Sequence, residues 1–154
     1  MALLYVPLTP ERLAAWQAAG ALDGASVHVA SPSYLAAFDL DDPESEDTEF
    51  QLLGVASLAS LLLGPGRLVA VVEGVAAATS DDFGRTTAAR LPWTAVTAVF
   101  ADDADGRAAA EALHGQLAEG DLDAAWGRPD VIELLEGHQL GWFGPTEIGL
   151  LLEH

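Results

Sequence analysis

The chain has 154 residues, with 24 carboxylates set against six basic side chains, all of them arginine, for a formal charge of −18, and it has no cysteine. That length suits one domain with a core of its own. The charge repels phosphate backbones and anionic membrane surfaces, and the missing cysteine removes disulfides, thiolate zinc sites and cysteine nucleophiles together.

Hydrophobic residues make up 51% of the chain, but alanine supplies much of that, so the large apolar side chains carry the folding signal. A cysteine-free chain without a basic-then-apolar leader is expected in the cytoplasm. The absence of lysine and asparagine follows from GC-rich codon usage, so no mechanism is drawn from it. Two explanations of the acidity stand side by side: a solubilising or salt-adapted surface, or a negative face that steers a basic partner.

Leu3 to Val6, closed by Pro7, reads as a first strand buried on both faces. Thr9-Pro10-Glu11 opens a helix: Thr9 caps free N–H groups, Pro10 suits the first helical position, and Glu11 complements the dipole. Leu13 and Trp16 share its buried face, and Gly20 ends it. Ser26 to Ala30 alternates as a second strand, with His28 on the face opposite Val27 and Val29. Ser31-Pro32-Ser33 turns into a short helix carrying Tyr34, Leu35 and Phe38.

Asp39 to Glu49 is an acidic run with Pro43 inside it, expected as a mobile loop whose last residues form the negative first turn of the next helix. That helix, about 48–63, is apolar on most of its circumference, which buries it in a core or against a partner. It is short of the ~20 apolar residues a membrane span needs. Gly64-Pro65-Gly66 stops it. Leu68 to Val72 is the most strand-like run and is expected at the centre of the sheet.

Gly74 to Arg90 reads as a long loop or irregular hairpin. Val96 to Ala101 is a buried strand that turns, through Asp102-Asp103, into a helix with Ala109, Ala110, Leu113 and Leu117 facing inward and Arg107, Glu111 and His114 outward. Glu119 to Asp123 reads as a polar linker. A helix from about 130 to 136 precedes a last strand holding Trp142, and Gly144-Pro145-Thr146-Glu147 begins a terminal helix. Leu152-Glu153-His154 reads as the stump of a cloning scar. No internal repeat is present.

Candidate chemistry is sparse. Asp103-Ala104-Asp105-Gly106 invites a calcium loop, but with Gly106 at position 6 the anchoring positions 1 and 12 fall on Ala101 and Ala112. Helix capping by Asp102 or Asp103 accounts for the motif. The 39–49 carboxylates supply charge without a fixed cage of ligands. His28, His114 and His138 form no i, i+4 pair and no HExxH, and His28 is expected as a hydrogen-bonded structural residue. No GxSxG elbow, SxxK, GxxxxGK[ST] or GxGxxG occurs. Tryptophan serves both cores and binding hot spots; Trp142, on a strand, is expected in the core, and Trp126, in loop-like surroundings, as an exposed anchor.

Tyr5-Val6-Pro7, the run Val96-Thr97-Ala98-Val99-Phe100-Ala101-Asp102-Asp103-Ala104-Asp105, and Glu136-Gly137-His138-Gln139-Leu140-Gly141-Trp142-Phe143 together resemble an uncharacterised family of acidic actinobacterial proteins, a domain of unknown function, over nearly the whole chain. The resemblance implies a cytoplasmic protein of high-GC origin and transfers no catalytic residue.

The sequence therefore predicts a single α+β (mixed α/β) domain over residues 1–151, with about five strands near 2–7, 26–31, 67–73, 95–101 and 139–143 in a mixed sheet. Helices near 10–19, 48–63, 103–118, 130–136 and 145–151 cover it. The expected core is Val6, Leu13, Trp16, Leu53, Val69, Val71, Val96, Val99, Leu113 and Trp142. No catalytic, cofactor-binding or metal-binding residue is assigned, and neither nucleic acid nor membrane is expected as a partner. The expected role is a non-enzymatic binding or regulatory protein that turns Asp41, Asp42, Glu44, Glu46 and Asp47, with Trp126, toward a basic protein. The alternatives are a small hydrolase or metal-dependent enzyme that assembles carboxylates distant in sequence, and a structural homodimer built on the apolar helix 48–63.

Overall fold

The computed structural model describes residues 2–117 and 121–152. In chain order the elements are β1 (Ala2–Pro7), α1 (Pro10–Ala19), β2 (Ala21–His28), α2 (Pro32–Ala37), α3 (Glu46–Leu63), β3 (Leu68–Gly74), β4 (Arg85–Pro92), β5 (Val96–Ala101), α4 (Ala104–His114), α5 (Leu122–Trp126), α6 (Pro129–Gly137), β6 (Gly141–Phe143) and α7 (Ile148–Leu152). The strands form one sheet in the order β4-β2-β1-β3-β5-β6. Every pairing among them is antiparallel. The α+β class stands, but the sheet is neither five-stranded nor mixed.

Strand alternation sorts the core into two layers. Leu4 and Val6 of β1 join Leu68, Ala70 and Val72 of β3 on one face, beneath Leu13 and Trp16 of α1 and Ile148 of α7. Tyr5, Val69, Val71 and Ala98 point the other way, beneath α3 and side chains from α2, α4, α5 and α6. The sheet is thus the middle layer, and β1 and β3, its most apolar strands, occupy its centre. α3 lies across both of them, which explains why it is apolar nearly all round: Leu52, Val55, Leu58 and Leu61 are fully buried. Each such side chain contributes about 1.5–3 kcal/mol on leaving water.

Local signals place the helix ends well. The Thr9 hydroxyl accepts from the Arg12 N–H at 3.3 Å with Pro10 in the first turn, and Gly20 closes α1 at φ 82°, a left-handed conformation that glycine adopts without strain. Asp103 caps α4, its Oδ1 accepting from the Gly106 N–H at 2.7 Å. A Cβ on Gly106 would stand 2.7 Å from Asp102 Oδ1, so the glycine is there for close approach and not for a calcium loop.

Three expectations about these elements fail. The 74–90 loop contains β4, which pairs with β2 over almost its whole length. Its alternation is built from threonine, alanine and arginine, and only Thr86, Ala88 and Leu91 are buried. The arginines suit an edge strand that must not recruit another chain. The linker expected over 119–123 instead gives way to a helix: Asp121 caps α5, which takes in residues 122 and 123 and runs on to Trp126, while residues 119 and 120 lie outside the described residues. α4 ends at His114, and the predicted end at 118 also lies outside them. Leu152 closes α7 and packs on the α1 side, while Glu153 and His154 are outside the described residues. No described helix is long and apolar enough to cross a membrane.

Candidate functional site

The acidic run is tied to the start of α3. The Ser45 hydroxyl accepts from the Thr48 N–H at 3.2 Å, the Thr48 hydroxyl donates to the Asp42 carbonyl at 2.6 Å, and Asp42 Oδ1 accepts from the Glu44 N–H at 2.9 Å. Asp41, Asp42, Glu44, Glu46 and Asp47 are all exposed. They do not form one face, however. Glu44 lines a recess with Glu49 and Glu73 near Tyr5, whose phenol is pushed up to about 12 by burial and then by Glu49. Glu46 and Asp47 belong to the first turn of α3, one turn before Phe50 and Gln51 on the same side of the helix.

That side of α3 forms one wall of the largest described cavity, a groove of about 600 Å³ between α3, β5, α5 and α6. Phe50, Leu53, Trp126, Ile132, Leu135 and Leu140 make it apolar, and Glu136 stands on its α6 side. The two tryptophans exchange the roles expected of them. Trp126 is half-buried, packed edge-on against Phe38 at 5.6 Å and Phe83 at 6.1 Å. Trp142 is 60% exposed. It sits on β6, a three-residue edge strand, directly opposite Phe100, so both rings rise from the same face beside the groove. Phe50 and Ile132 are also exposed, at 59% and 44%. Leu53, expected in the core, is only partly buried because it lines this groove.

Arg67, which also lines the groove, belongs to a buried ion pair that sequence reading passed over. Arg67, just before β3, donates from Nε and Nη2 to Asp102 Oδ1 at 3.0 and 2.6 Å, and its backbone N–H reaches Oδ2 at 3.0 Å. Nη2 also donates to the His138 carbonyl at 2.6 Å. One guanidinium thus joins the start of β3, the end of β5 and the segment before β6. The available signal was an arginine placed between Gly66 and an all-apolar strand in a chain so short of cations.

The histidines are scattered. His114 turns inward, with Nδ1 2.7 Å from the Leu61 carbonyl. His28 is fully buried, with Nδ1 2.9 Å from the Phe83 carbonyl and Nε2 without a partner. Burial, the largest influence, holds its pKa below the ordinary value; Arg85 acts the same way, while the Phe83 carbonyl and Asp81 oppose it. Burial also raises the Tyr34 phenol, with Tyr5 adding to it, and that hydroxyl donates to the Thr48 carbonyl at 3.1 Å. Among the described residues no group of three histidine, aspartate or glutamate side chains is placed to hold a metal ion.

Neither a curated protein nor a solved structure matches the chain. A family model does, over residues 3–152, which takes in all three runs that carried the resemblance. The chain belongs to DUF6912, a family of unknown function.

Proposed function

We propose that this protein is a cytoplasmic binding module whose groove between α3, α5 and α6 takes an amphipathic, basic helical segment of a partner protein. The observation that carries this reading is an apolar groove with exposed Phe50, Ile132 and Trp142 in or beside it, Glu136 in its lining, and Glu46 and Asp47 one helical turn before Phe50 and Gln51. An apolar helix face docks in such a groove through residues spaced three and four apart. Lysines flanking that face meet the carboxylates, and the charge of −18 speeds the encounter. Arg67 offers an anionic ligand little, because Asp102 already neutralises it. Asp41, Asp42 and Glu44 contribute to long-range attraction, and Trp126 supplies part of the groove wall.

The test uses a synthetic 14-residue helix of leucine and lysine with one apolar face, a scrambled peptide of the same composition, and a leucine–glutamate counterpart. Tryptophan fluorescence should report binding of the first peptide alone, weakened at least about tenfold in the Phe50→Ser/Trp142→Ser protein, as loss of central aromatic anchors does. Equal binding of the scrambled peptide would reduce the effect to bulk charge, and an unaltered affinity in the double variant would remove the groove from the mechanism. Light scattering separates the remaining occupant: a doubled mass, lost in that variant, means that a second copy fills the groove and replaces the partner reading.

A further inference from the structure

The recess beside Tyr5 is a separate space of about 510 Å³ on the α3 face of the sheet. Leu3 and Tyr5 alternate onto that face of β1, and Glu73 of β3 stands directly opposite Leu3. Glu49 lines the recess from α3, on the same side of the helix as Leu52, and Glu44 lines it from the loop before α3. Leu3, Val29 and Leu52 give it an apolar lining between these carboxylates.

Two features set this recess apart from ordinary surface acidity. The first is that its three carboxylates have no cation. The ion pairs among the described residues use Asp23, Asp81, Asp102, Glu111 and Asp130, and the chain has no lysine. The second is Tyr5, whose side chain is buried to 5% exposure. The neighbouring Tyr34 hydroxyl donates to the Thr48 carbonyl, but that of Tyr5 has no hydrogen-bond partner among the described residues. Among those residues the one unpartnered side-chain polar atom sealed from solvent is His28 Nε2, so the Tyr5 oxygen keeps an opening. Tyr5 lines this recess, and Glu49, which lines it too, stands close enough to act on the phenol. The unpartnered oxygen therefore faces the carboxylates. Burial first, and then Glu49, keeps it neutral, with its lone pairs free to accept.

We infer that the recess beside Tyr5 binds an aliphatic diamine or polyamine: its ammonium groups pair with Glu44, Glu49 and Glu73, one of them donates to the Tyr5 hydroxyl oxygen, and its methylene chain lies on Leu3, Val29 and Leu52. An ammonium group only donates, which suits three carboxylates and a phenol oxygen. A metal ion is a poorer match. It needs its oxygen ligands gathered at about 2.0–2.6 Å, and among the described residues no three such groups are placed that way. Carboxylates spread around a recess within the ~300–1,000 Å³ of most ligand sites fit a molecule whose own charges are spaced. A single ammonium would leave part of that negative charge unmatched. The charge of −18 also concentrates such a cation at the surface.

The experiment is a titration of the nitrogen-15-labelled full chain with 1,4-diaminobutane, butylamine and magnesium chloride at equal ionic strength, observing the Leu3, Tyr5 and Glu49 amides. The diamine should move these three resonances together and bind about tenfold more tightly than butylamine, as a second charge-assisted bond provides. Tyr5→Phe should weaken it about tenfold, with the melting temperature unchanged, since the hydroxyl bonds to nothing in the free protein. Glu49→Gln and Glu73→Gln should each weaken it by a similar factor. Glu133→Gln, an equal loss of charge at an exposed position on α6, should not. Butylamine or magnesium binding as tightly as the diamine, full affinity in Tyr5→Phe, or an equal loss in Glu133→Gln would each overturn the assignment.

Discussion

Ser60 shows how much one polar side chain can carry in an apolar helix. It is fully buried on α3, donating to the Leu8 carbonyl at 2.7 Å and accepting from the Leu68 N–H at 2.8 Å. It therefore satisfies the end of β1 and the start of β3 together. Ser60→Ala leaves both backbone groups buried without that partner and should cost about 1–3 kcal/mol, read as a lower urea midpoint with an unchanged slope. In the sequence, Ser60 is one of several small residues that soften a leucine-rich helix, and nothing local separates it from the others. Gly84 is similar. At φ 71° a Cβ would lie 2.2 Å from the Val29 carbonyl oxygen, so the turn into β4 requires glycine. The text around it, Asp82-Phe83-Gly84-Arg85, reads only as a generic turn. Caps behave differently: Thr9 and Asp103 act on N–H groups three residues away, so their roles are visible in the sequence.

At the scale of elements, the Arg67–Asp102 pair holds together parts that secondary structure alone leaves loose. Both side chains are almost wholly buried, and the same guanidinium reaches the His138 carbonyl. Breaking a buried pair by removing one partner strands the other charge. Arg67→Met should therefore lower stability by about 3–5 kcal/mol, while the double change Arg67→Met/Asp102→Leu should recover much of the loss, as measured by denaturant unfolding. Hydrogen exchange in β6 should rise in the single variant, since this short edge strand depends on the segment that Arg67 holds. β4 and β6 are the strands least like their neighbours in composition, and both are edges. An edge strand buries one side of its ladder and few of its side chains, so it needs little hydrophobic pattern. That is why β4 was missed and Trp142 was placed in the core.

For the molecule as a whole, a charge of −18 on 154 residues is a constant outward pressure. Self-repulsion of this kind lies mostly between exposed groups, which salt screens once the Debye length shrinks to about 8–10 Å. The melting temperature at neutral pH should rise as sodium chloride goes from about 0.02 to about 0.3 M, while capture of a basic peptide by the groove falls over the same range. A protein whose acidity served only solubility would show the first effect without the second. The structure divides the acidic run between two places, with Glu46 and Asp47 in the first turn of α3 and Glu44 in a recess with Glu49 and Glu73. A linear string of charges could not show that division.

The sequence alone determined what depends on neighbours along the chain: a buried central pair of strands, an apolar helix over them, the helix caps, and membership of a family over nearly the whole length. Period and capping are local properties, so they survive without coordinates. The tertiary structure decided everything that needs two distant segments to meet. It set the strand order, the antiparallel pairing throughout, the exchange of Trp126 and Trp142 between wall and surface, the burial of Arg67 by Asp102, and the meeting of Glu44, Glu49 and Glu73 in one recess beside Tyr5. Each of these is fixed by long-range packing and by the requirement that buried polar groups find partners, and neither leaves a periodic mark in the sequence.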